Sequence, residues 1–352
     1  MKTFWHELPK PFFVLAPMEA VTDVVFRHVV TQAARPDVYF TEFTNATGWF
    51  RAGDKAIGGR LIKTDEENPI VAQLWGSDPV AMTALSTHCV ELGFDGIDIN
   101  MGCPDQSAIK GGGGAGMIRT PELAYDIIRA AKASGLPVSV KTRLGYSRVD
   151  EWKDWLGGLL RQDIAVLTIH LRTKKEMSKV PAHFELIGEI KALRDEIAPE
   201  TLLVINGDVR DRAHGMEFYD KYGVDGVMIG RGIFANPFCF SSDETSKVVD
   251  ESSHIQKHLQ PESSADAYST EARSEAVSEV EMRSTRRDEL IALLHFHLDQ
   301  YDTYSKQTGR PFETLKRFFK IYIRDFAGAS ELRDTLMHCK TTDEVREVLA
   351  TL

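Results

Sequence analysis

This sequence of 352 residues has few cysteines, no long apolar run and no recognisable metal-ligand spacing. Its four cysteines, Cys89, Cys103, Cys239 and Cys339, show no CxxC spacing, which argues against a disulfide framework and a cysteine-ligated metal. No apolar stretch approaches the roughly 18 residues of a membrane span, and the N-terminus lacks the features of a signal peptide. We therefore expect a reduced, cytoplasmic, monomeric protein with no membrane segment and no metal.

The net charge of −10 is unevenly distributed along the chain. Residues 241–288 hold eleven Asp/Glu against six Lys/Arg, with many serines and few large hydrophobic residues. Such a segment cannot bury enough apolar surface to offset its ordering entropy, which predicts a disordered insertion with at most a transient helix over 265–287. Residues 306–324 hold six basic residues and one acid, a local excess typical of nucleic-acid-binding surfaces.

Short apolar runs recur through residues 1–240, separated by segments with helical spacing. Because the runs are continuously hydrophobic, each is typical of a parallel strand buried on both faces. Eight such strands alternating with helices predict a (β/α)8 TIM barrel. The alternative is an open doubly wound sheet, which would carry a GxGxxG turn after its first strand. The predicted strands are Phe12–Met18, Val38–Phe43, Ile70–Trp75, Gly96–Asn100, Val138–Thr142, Val166–His170, Leu202–Asn206 and Gly226–Gly230.

Polar residues follow nearly every predicted strand, at the rim that carries the active site in barrels. After the fourth strand the chain turns through Cys103 into four glycines, Gly111–Gly114, which places a thiol on a loop. The simpler alternative for Cys103 is a buried structural cysteine. The rim residues are Gln73, Asn100, Cys103, Lys141, Arg143, His170, Arg172, Asn206, Asp208, Gly230 and Arg231.

The chemistry of this rim indicates a phosphate-anchored flavin. Asn206 and Gly230 close the seventh and eighth strands, where barrels commonly bind a phosphate on backbone N–H groups, and Arg231 adds a charged fork. Lys141 and His170 are donors that can polarise an electron-rich ring. Cys103 can serve as nucleophile or acid, depending on its pKa.

The sequence resembles the tRNA-dihydrouridine synthases, a family of FMN-dependent barrel enzymes that reduce uracil rings in tRNA. Two features depart from the family: the stretch KKEMSKVPAHF after Thr173, and the long insertion before the C-terminal domain. The resemblance is carried by LAPMEAVTD (Leu15–Asp23), INMGCPD (Ile99–Asp105), VSVKTRLG (Val138–Gly145), HLRT (His170–Thr173), INGDV (Ile205–Val209) and GVMIGRGIFANP (Gly226–Pro237).

The resemblance implies that Cys103 is the general acid, delivering a proton to carbon 5 of uracil while carbon 6 receives a hydride. NADPH, or NADH, would be the reductant. It implies that the base is held by Asn100, Lys141, Arg143, His170 and Arg172. It implies that FMN is bound by Pro17, Met18, Gln73, Lys141, His170, Asn206, Asp208, Gly230 and Arg231.

Residues 289–352 show helical periodicity and predict a small bundle. Lys316, Lys320 and Arg324 are spaced to share one helix face, which predicts a tRNA-binding stripe; the alternative is an ordinary solvated face. The predicted domains are a catalytic barrel over 1–240, the insertion over 241–288 and a helical tRNA-binding domain over 289–352.

Two other functions stay open at this point. One is a flavin barrel that acts on a small molecule, such as a dihydroorotate dehydrogenase or an ene-reductase, which would not need the basic helical domain. The other is a catalytically idle RNA-binding relative. Cys103, Lys141 and His170 argue against the idle relative, since it has no use for all three.

Overall fold

The structure is a computed structural model that describes residues 2–242 and 270–352. It divides into two compact units. The first contains the described residues up to Phe240 together with Tyr304–Gly309, and the second contains the other described residues. No helix in the described ranges is both long enough and apolar enough to cross a membrane.

The first unit is built on a parallel barrel, as predicted. Each strand pairs with its neighbours in parallel, in the order β1-β9-β8-β7-β6-β5-β4-β2, and β3 pairs with the end of β4. The barrel closes where Val14 bridges Val38 and the Leu15 N–H donates to the Val38 carbonyl at 3.1 Å. The strands are β1 (Phe12–Leu15), β2 (Tyr39–Phe40), β3 (Thr44–Asn45), β4 (Ile70–Trp75), β5 (Gly96–Met101), β6 (Val138–Arg143), β7 (Val166–His170), β8 (Leu202–Asn206) and β9 (Gly226–Ile229).

Two of the predicted strands differ from the observed ones by more than one residue. The first strand ends at Leu15, because Pro17 has no N–H to extend the ladder. The second is divided into β2 and β3. Between them the buried carboxylate of Glu42 accepts a hydrogen bond from the Ala20 N–H at 2.5 Å, so this stretch binds the loop after β1.

Helices surround the barrel and cover the outer faces of its strands. Aspartate side chains cap several of them: Asp23 accepts from the Phe26 N–H, and Asp78 accepts from the Val80 N–H. The helices are α1 (Val24–Ala33), α2 (Ala46–Ala52), α3 (Pro79–Glu91), α4 (Gln106–Lys110), α5 (Pro121–Lys132), α6 (Trp152–Leu160), α7 (Ile187–Ile197), α8 (Arg212–Tyr222) and α9 (Gly232–Ala235).

The barrel interior is apolar at its N-terminal end. Phe12, Val71, Val166 and Met228 pack there in one buried cluster that includes Trp5. These side chains fill the lumen as the inner layers of such barrels require. The polar side chains therefore concentrate toward the C-terminal ends of the strands.

The second unit is helical. Helix α10 (Thr270–Thr308), which belongs to this unit up to Thr303, begins inside the predicted insertion. Residues 270–288 are therefore helical, whereas 243–269 lie outside the described residues. Ala, Glu and Arg are frequent between 270 and 288, and these residues favour helix. The remaining elements are a 3₁₀ helix (Phe312–Phe318), α11 (Phe319–Tyr322), α12 (Ala329–His338) and α13 (Thr342–Leu349).

Candidate active site

The register of the barrel brings the predicted rim residues of β4 to β8 together. Asn100 lies opposite Lys141, and His170 lies opposite both Arg143 and Asn206. Gln73 lies opposite Asp98, two residues before Asn100. Side chains that are far apart in the sequence thus line one end of one barrel, as the strand-end pattern predicts.

Cys103 lies on a tight turn after β5, held by the side chain of Asn100. The Asn100 Oδ1 accepts hydrogen bonds from the Gly102 N–H at 3.1 Å and from the Cys103 N–H at 2.9 Å. The glycine run approaches from the other side: a Cβ at Gly114 would lie 2.7 Å from the Cys103 carbonyl oxygen, and Gly114 has a positive φ of 54°. Only glycine fits both conditions.

The Cys103 thiol differs from the other three. Cys103 is partly exposed, whereas Cys89, Cys239 and Cys339 are buried. Burial of much of its surface raises the pKa of the Cys103 thiol above its ordinary value, despite the opposing charges of Lys141 and Arg143. The thiol is therefore protonated at neutral pH, which suits an acid better than a nucleophile.

Arg143, predicted to bind substrate, uses its donors on backbone carbonyls. It is 5% exposed, and its Nε donates to the Gly102 carbonyl at 2.7 Å. Its Nη1 donates to the carbonyls of Thr173 at 3.1 Å and Met177 at 3.0 Å. Arg143 therefore connects the Cys103 turn to the loop after β7.

Lys141 offers its ammonium to the barrel mouth. Its side chain is partly exposed, and no side chain or carbonyl in the described ranges accepts a hydrogen bond from it. Burial, together with the nearby charge of Arg143, lowers the pKa of Lys141 to about 8, while Asp98 opposes this effect. The ammonium is the unsatisfied donor that a bound ligand would need.

His170 is neutral and has a defined tautomer. The Arg172 Nη1 lies 3.1 Å from the His170 Nε2, and because a guanidinium can only donate, Nε2 accepts and the ring proton is on Nδ1. Burial lowers the pKa of His170 well below its ordinary value, and the surrounding cations lower it further. His170 is thus a neutral hydrogen-bond donor.

A charged network follows β8 and β9. Arg172, 2% exposed, pairs with Asp208 and donates from Nε to the Val180 carbonyl at 2.6 Å. Asp208 also accepts from Arg231 at 2.9 Å. Arg172, predicted to bind the base, is therefore internal to this network, whereas the Arg231 side chain is 61% exposed.

Two glycines lie beside this network, and neighbouring side chains pack closely against both. Gly207 has a positive φ of 119°, and a Cβ there would lie 3.2 Å from both the His170 ring and Ala182. Gly230 lies beside Met18, whose Sδ would be 4.0 Å from a Cβ at Gly230. Asn206 donates to the Met228 carbonyl at 2.8 Å and holds the ends of the two strands together.

Sequence reasoning missed Asp98 and Ser139, which lie beneath the Cys103 turn. Asp98 is 0% exposed and accepts from the Ser139 hydroxyl at 2.7 Å. The available signal was alternation: Asp98 and Asn100 are polar residues two apart in an apolar strand, and so share its inner face.

In the helical unit, the predicted basic stripe is wrong as a geometric feature. Lys316 lies in the 3₁₀ helix and Lys320 in α11, but Arg324 follows the end of α11 and pairs with Asp325 at 2.6 Å. Lys316 donates to the Met337 carbonyl at 2.9 Å, and Lys320 is exposed. The three side chains therefore do not share one helix face.

The helical unit instead carries an arginine-lined cleft of about 750 Å³. Arg287 lies over the ring of Phe326 with 5.1 Å between guanidinium carbon and ring centroid, and Arg333 donates to the Ile323 carbonyl at 2.6 Å. Sequence reasoning included Arg324 among the tRNA contacts but missed Arg287 and Arg333. The lining residues are Arg287, Arg324, Asp325, Phe326, Ala327, Ala329, Ser330 and Arg333.

The parallel barrel and its polar C-terminal rim define a (β/α)8-barrel enzyme. The chain belongs to the dihydrouridine synthase family, whose profile matches residues 14–352. A probable tRNA-dihydrouridine synthase 2 of Bacillus subtilis (strain 168) is 53% identical over 349 residues, covering 99% of this chain and 96% of its own. A probable tRNA-dihydrouridine synthase of Staphylococcus aureus (strain Mu50) is 51% identical over 349 residues, covering 99% and 95%.

Solved structures resemble the chain less closely. Morphinone reductase in complex with tetrahydroNAD aligns over 64% of this chain and 84% of its own, at 14% identity and a TM-score of 0.46. The assignment therefore depends on the family profile and the sequence relatives. It confirms the predicted resemblance and favours a dihydrouridine synthase, an oxidoreductase, over a barrel enzyme for free small molecules.

Proposed function

We propose that this protein is a tRNA-dihydrouridine synthase that binds FMN, uses NADPH or NADH as reductant, and reduces the carbon 5–carbon 6 double bond of uridines in tRNA. The observation that carries the proposal is the Cys103 turn. A thiol whose pKa is raised by burial lies at the rim of a barrel that also carries the donors Lys141 and His170. The names of the relatives point to the same substrate.

The residues present fit FMN. The exposed guanidinium of Arg231 and the backbone at Gly207 and Gly230 form a cationic cradle after β8 and β9, which suits a phosphate. Lys141, with its unaccepted ammonium, suits the polar edge of the isoalloxazine ring, and Gln73 and His170 lie on the same lumen face. We propose that Pro17, Met18, Asn206 and Asp208 complete this site.

FMN, when bound, would supply the hydride that carbon 6 of uracil receives. Cys103 then donates its thiol proton to carbon 5, so the ring gains two hydrogens across the double bond. Lys141 and His170 donate to the oxygen on which negative charge develops. Asn100 and Arg143 hold the turn that carries the thiol, and Arg172 fixes the His170 tautomer. The raised pKa of Cys103 favours its reprotonation from solvent after each turnover.

The helical unit supplies a second proposed contact with tRNA. The cleft is lined by three arginines and by Phe326, and the Arg287 guanidinium lies over the Phe326 ring, which suits phosphate and base contacts. Lys320, four residues before Arg324 in the sequence, is exposed and could bind a phosphate of the RNA backbone. The barrel over 1–240 is thus proposed as the catalytic domain and 289–352 as the tRNA-binding domain, while the monomeric state and cytoplasmic location stay predictions.

The Cys103→Ala variant tests the function. Loss of a general acid costs about 10²–10⁴-fold in rate, so we expect dihydrouridine formation in unmodified tRNA to slow by that factor while flavin content is retained. The measurement is dihydrouridine per tRNA against time with NADPH in excess, alongside flavin absorbance.

Cys89→Ala is the matched control. Cys89 is buried in α3, and burial raises the pKa of its thiol to about 12, so its loss should leave the rate unchanged. A wild-type rate of dihydrouridine formation in Cys103→Ala would show that Cys103 is not the general acid. A wild-type protein that binds no flavin, or forms no dihydrouridine in any tRNA, would refute the proposed function itself.

A further inference from the structure

A polar layer lies inside the barrel directly beneath the Cys103 turn. Gln73, Asp98 and Ser139 are side by side in register on β4, β5 and β6, and each is 0% exposed. Inner layers of such barrels ordinarily consist of branched apolar residues. Burying an ionised carboxylate there costs free energy unless hydrogen bonds and a nearby opposite charge compensate for the lost water. The reaction proposed above does not use Asp98, so its position needs another explanation.

Hydrogen bonds connect this carboxylate to the turn. The Asp98 Oδ2 accepts from the Gln73 Nε2 at 2.7 Å, and the Gln73 Oε1 accepts from the Asn100 Nδ2 at 3.1 Å. The Asn100 Oδ1 in turn accepts the N–H groups of Gly102 and Cys103. Gln73 and Asn100 are both buried, so water does not compete for these bonds.

The charge on Asp98 determines which groups donate and which accept in this series of hydrogen bonds. An ionised carboxylate can only accept, so Gln73 must turn its NH₂ toward Asp98 and its oxygen toward Asn100. Asn100 must then donate to Gln73, which leaves its own oxygen for the two N–H groups of the turn. Reversing Gln73 would place its NH₂ group against that of Asn100, and reversing Asn100 would place an NH₂ group against the two N–H groups, so that the turn would lose its acceptor.

We propose that Asp98 is a positioning residue whose ionised carboxylate, acting through Gln73 and Asn100, holds the turn that carries Cys103. The catalytic meaning of this role rests on the proposed function of Cys103 as the acid. The structural role does not, because it concerns the conformation of the turn and can be measured without turnover.

The same geometry predicts a dependence on pH. Burial raises the pKa of Asp98 to about 6, although Ser139, Gln73 and the Lys141 charge oppose the increase. A protonated Asp98 can donate to the Gln73 oxygen, which permits the reversed orientation and loosens the turn. Lys141 is the charged group that acts on Asp98, and Arg143 and Cys103 act in turn on Lys141.

The test is alkylation of Cys103 by iodoacetamide in the full-length, flavin-loaded protein between pH 5 and 8. The Cys103 peptide is quantified by mass spectrometry, which separates it from the three buried cysteines. Only the thiolate reacts, so with a rigid turn the alkylation rate falls tenfold for each unit by which the pH is lowered. In the wild type we expect the rate below about pH 6 to be roughly threefold to tenfold higher than this dependence predicts, the effect of losing about one net hydrogen bond.

Asp98→Asn cannot ionise, so it should show no break near pH 6. At pH 7.5 its Cys103 should react roughly threefold to tenfold faster than in the wild type, for the same reason. Asp95→Asn is the matched control: this carboxylate accepts the Ile70 N–H at 2.8 Å just before β5, away from the turn. It should keep the wild-type profile, break included.

Two results would overturn the proposal. One is a wild-type profile without a break, which needs no variant to fold. The other is a break that persists in Asp98→Asn, which would assign it to another group, such as His183 with its raised pKa in the loop after β7. Because neither result involves tRNA, the proposed function stands or falls separately.

Discussion

The buried charge of Asp98 should make the wild-type barrel less stable than its Asp98→Asn variant. The side chain is 0% exposed, and burial is the main reason that its pKa rises from 3.8 to about 6. Two hydrogen bonds and the Lys141 charge offset part of the cost but leave a net penalty on the ionised form. Most substitutions of a buried, hydrogen-bonded residue destabilise, so the expected sign is unusual.

The size of the effect follows from the pKa. One pKa unit corresponds to about 1.36 kcal/mol, so the ionised carboxylate costs roughly 3 kcal/mol at pH 7. The folded protein binds the extra proton between about pH 4 and pH 6, so the contribution of this group to stability falls as pH rises through that window and is constant above it. An asparagine carries no such charge. The advantage of the variant should therefore be small near pH 4 and reach up to roughly 3 kcal/mol at pH 7.

Thermal melting at pH 5, 6, 7 and 8, followed by circular dichroism, measures this difference. For a unit of this size, 3 kcal/mol corresponds to a rise in melting temperature of roughly 6–12 °C. The difference between variant and wild type should grow from pH 5 to pH 7 and then level. Asp95→Asn, which loses a carboxylate that accepts a backbone N–H, should not gain stability at any pH. If Asp98→Asn melts at or below the wild-type temperature throughout, the carboxylate carries no net penalty and the reasoning is refuted.

Two further predictions concern ligand binding. Arg231→Ala should weaken FMN binding by about tenfold, the low end for a charge-assisted contact because the side chain is largely exposed; an unchanged Kd in a flavin titration would contradict it. Lys316→Glu combined with Lys320→Glu should weaken tRNA binding and flatten its salt dependence, because fewer counterions are released. Equal slopes of log affinity against log salt in the two proteins would show that these lysines do not contact the phosphates of tRNA.

The barrel could be predicted because its strands are encoded locally. Val166–His170 and Leu202–Asn206 are continuous apolar runs that end in polar residues, and the observed strands have the same bounds. The second strand was not predicted correctly, because its division involves Glu42 accepting the N–H of Ala20, 22 residues earlier in the chain. A contact between distant segments leaves no local pattern.

The same limit applies to the arginines of the site. Position at a strand end correctly placed Arg143 and Arg172 at the rim, but it could not show which acceptors they meet. Both guanidinium groups are buried and bind groups of the protein itself. In the helical unit, regular spacing predicted one face for Lys316 and Arg324, yet the chain is 3₁₀-helical at Lys316 and leaves α11 before Arg324. Tighter winding changes the residues that share a face.

The distribution of charge at the rim would suit the proposed anionic cofactor in a protein of net negative charge. Four cationic side chains act on His170: Lys141, Arg143, Arg172 and Arg231. The excess positive charge helps to keep His170 neutral by lowering its pKa. Linkage is reciprocal, so an anion that binds beside Arg231 must raise the affinity of these groups for protons. The proposed phosphate site and the donors of the barrel mouth would therefore be coupled through charge, even where they share no hydrogen bond.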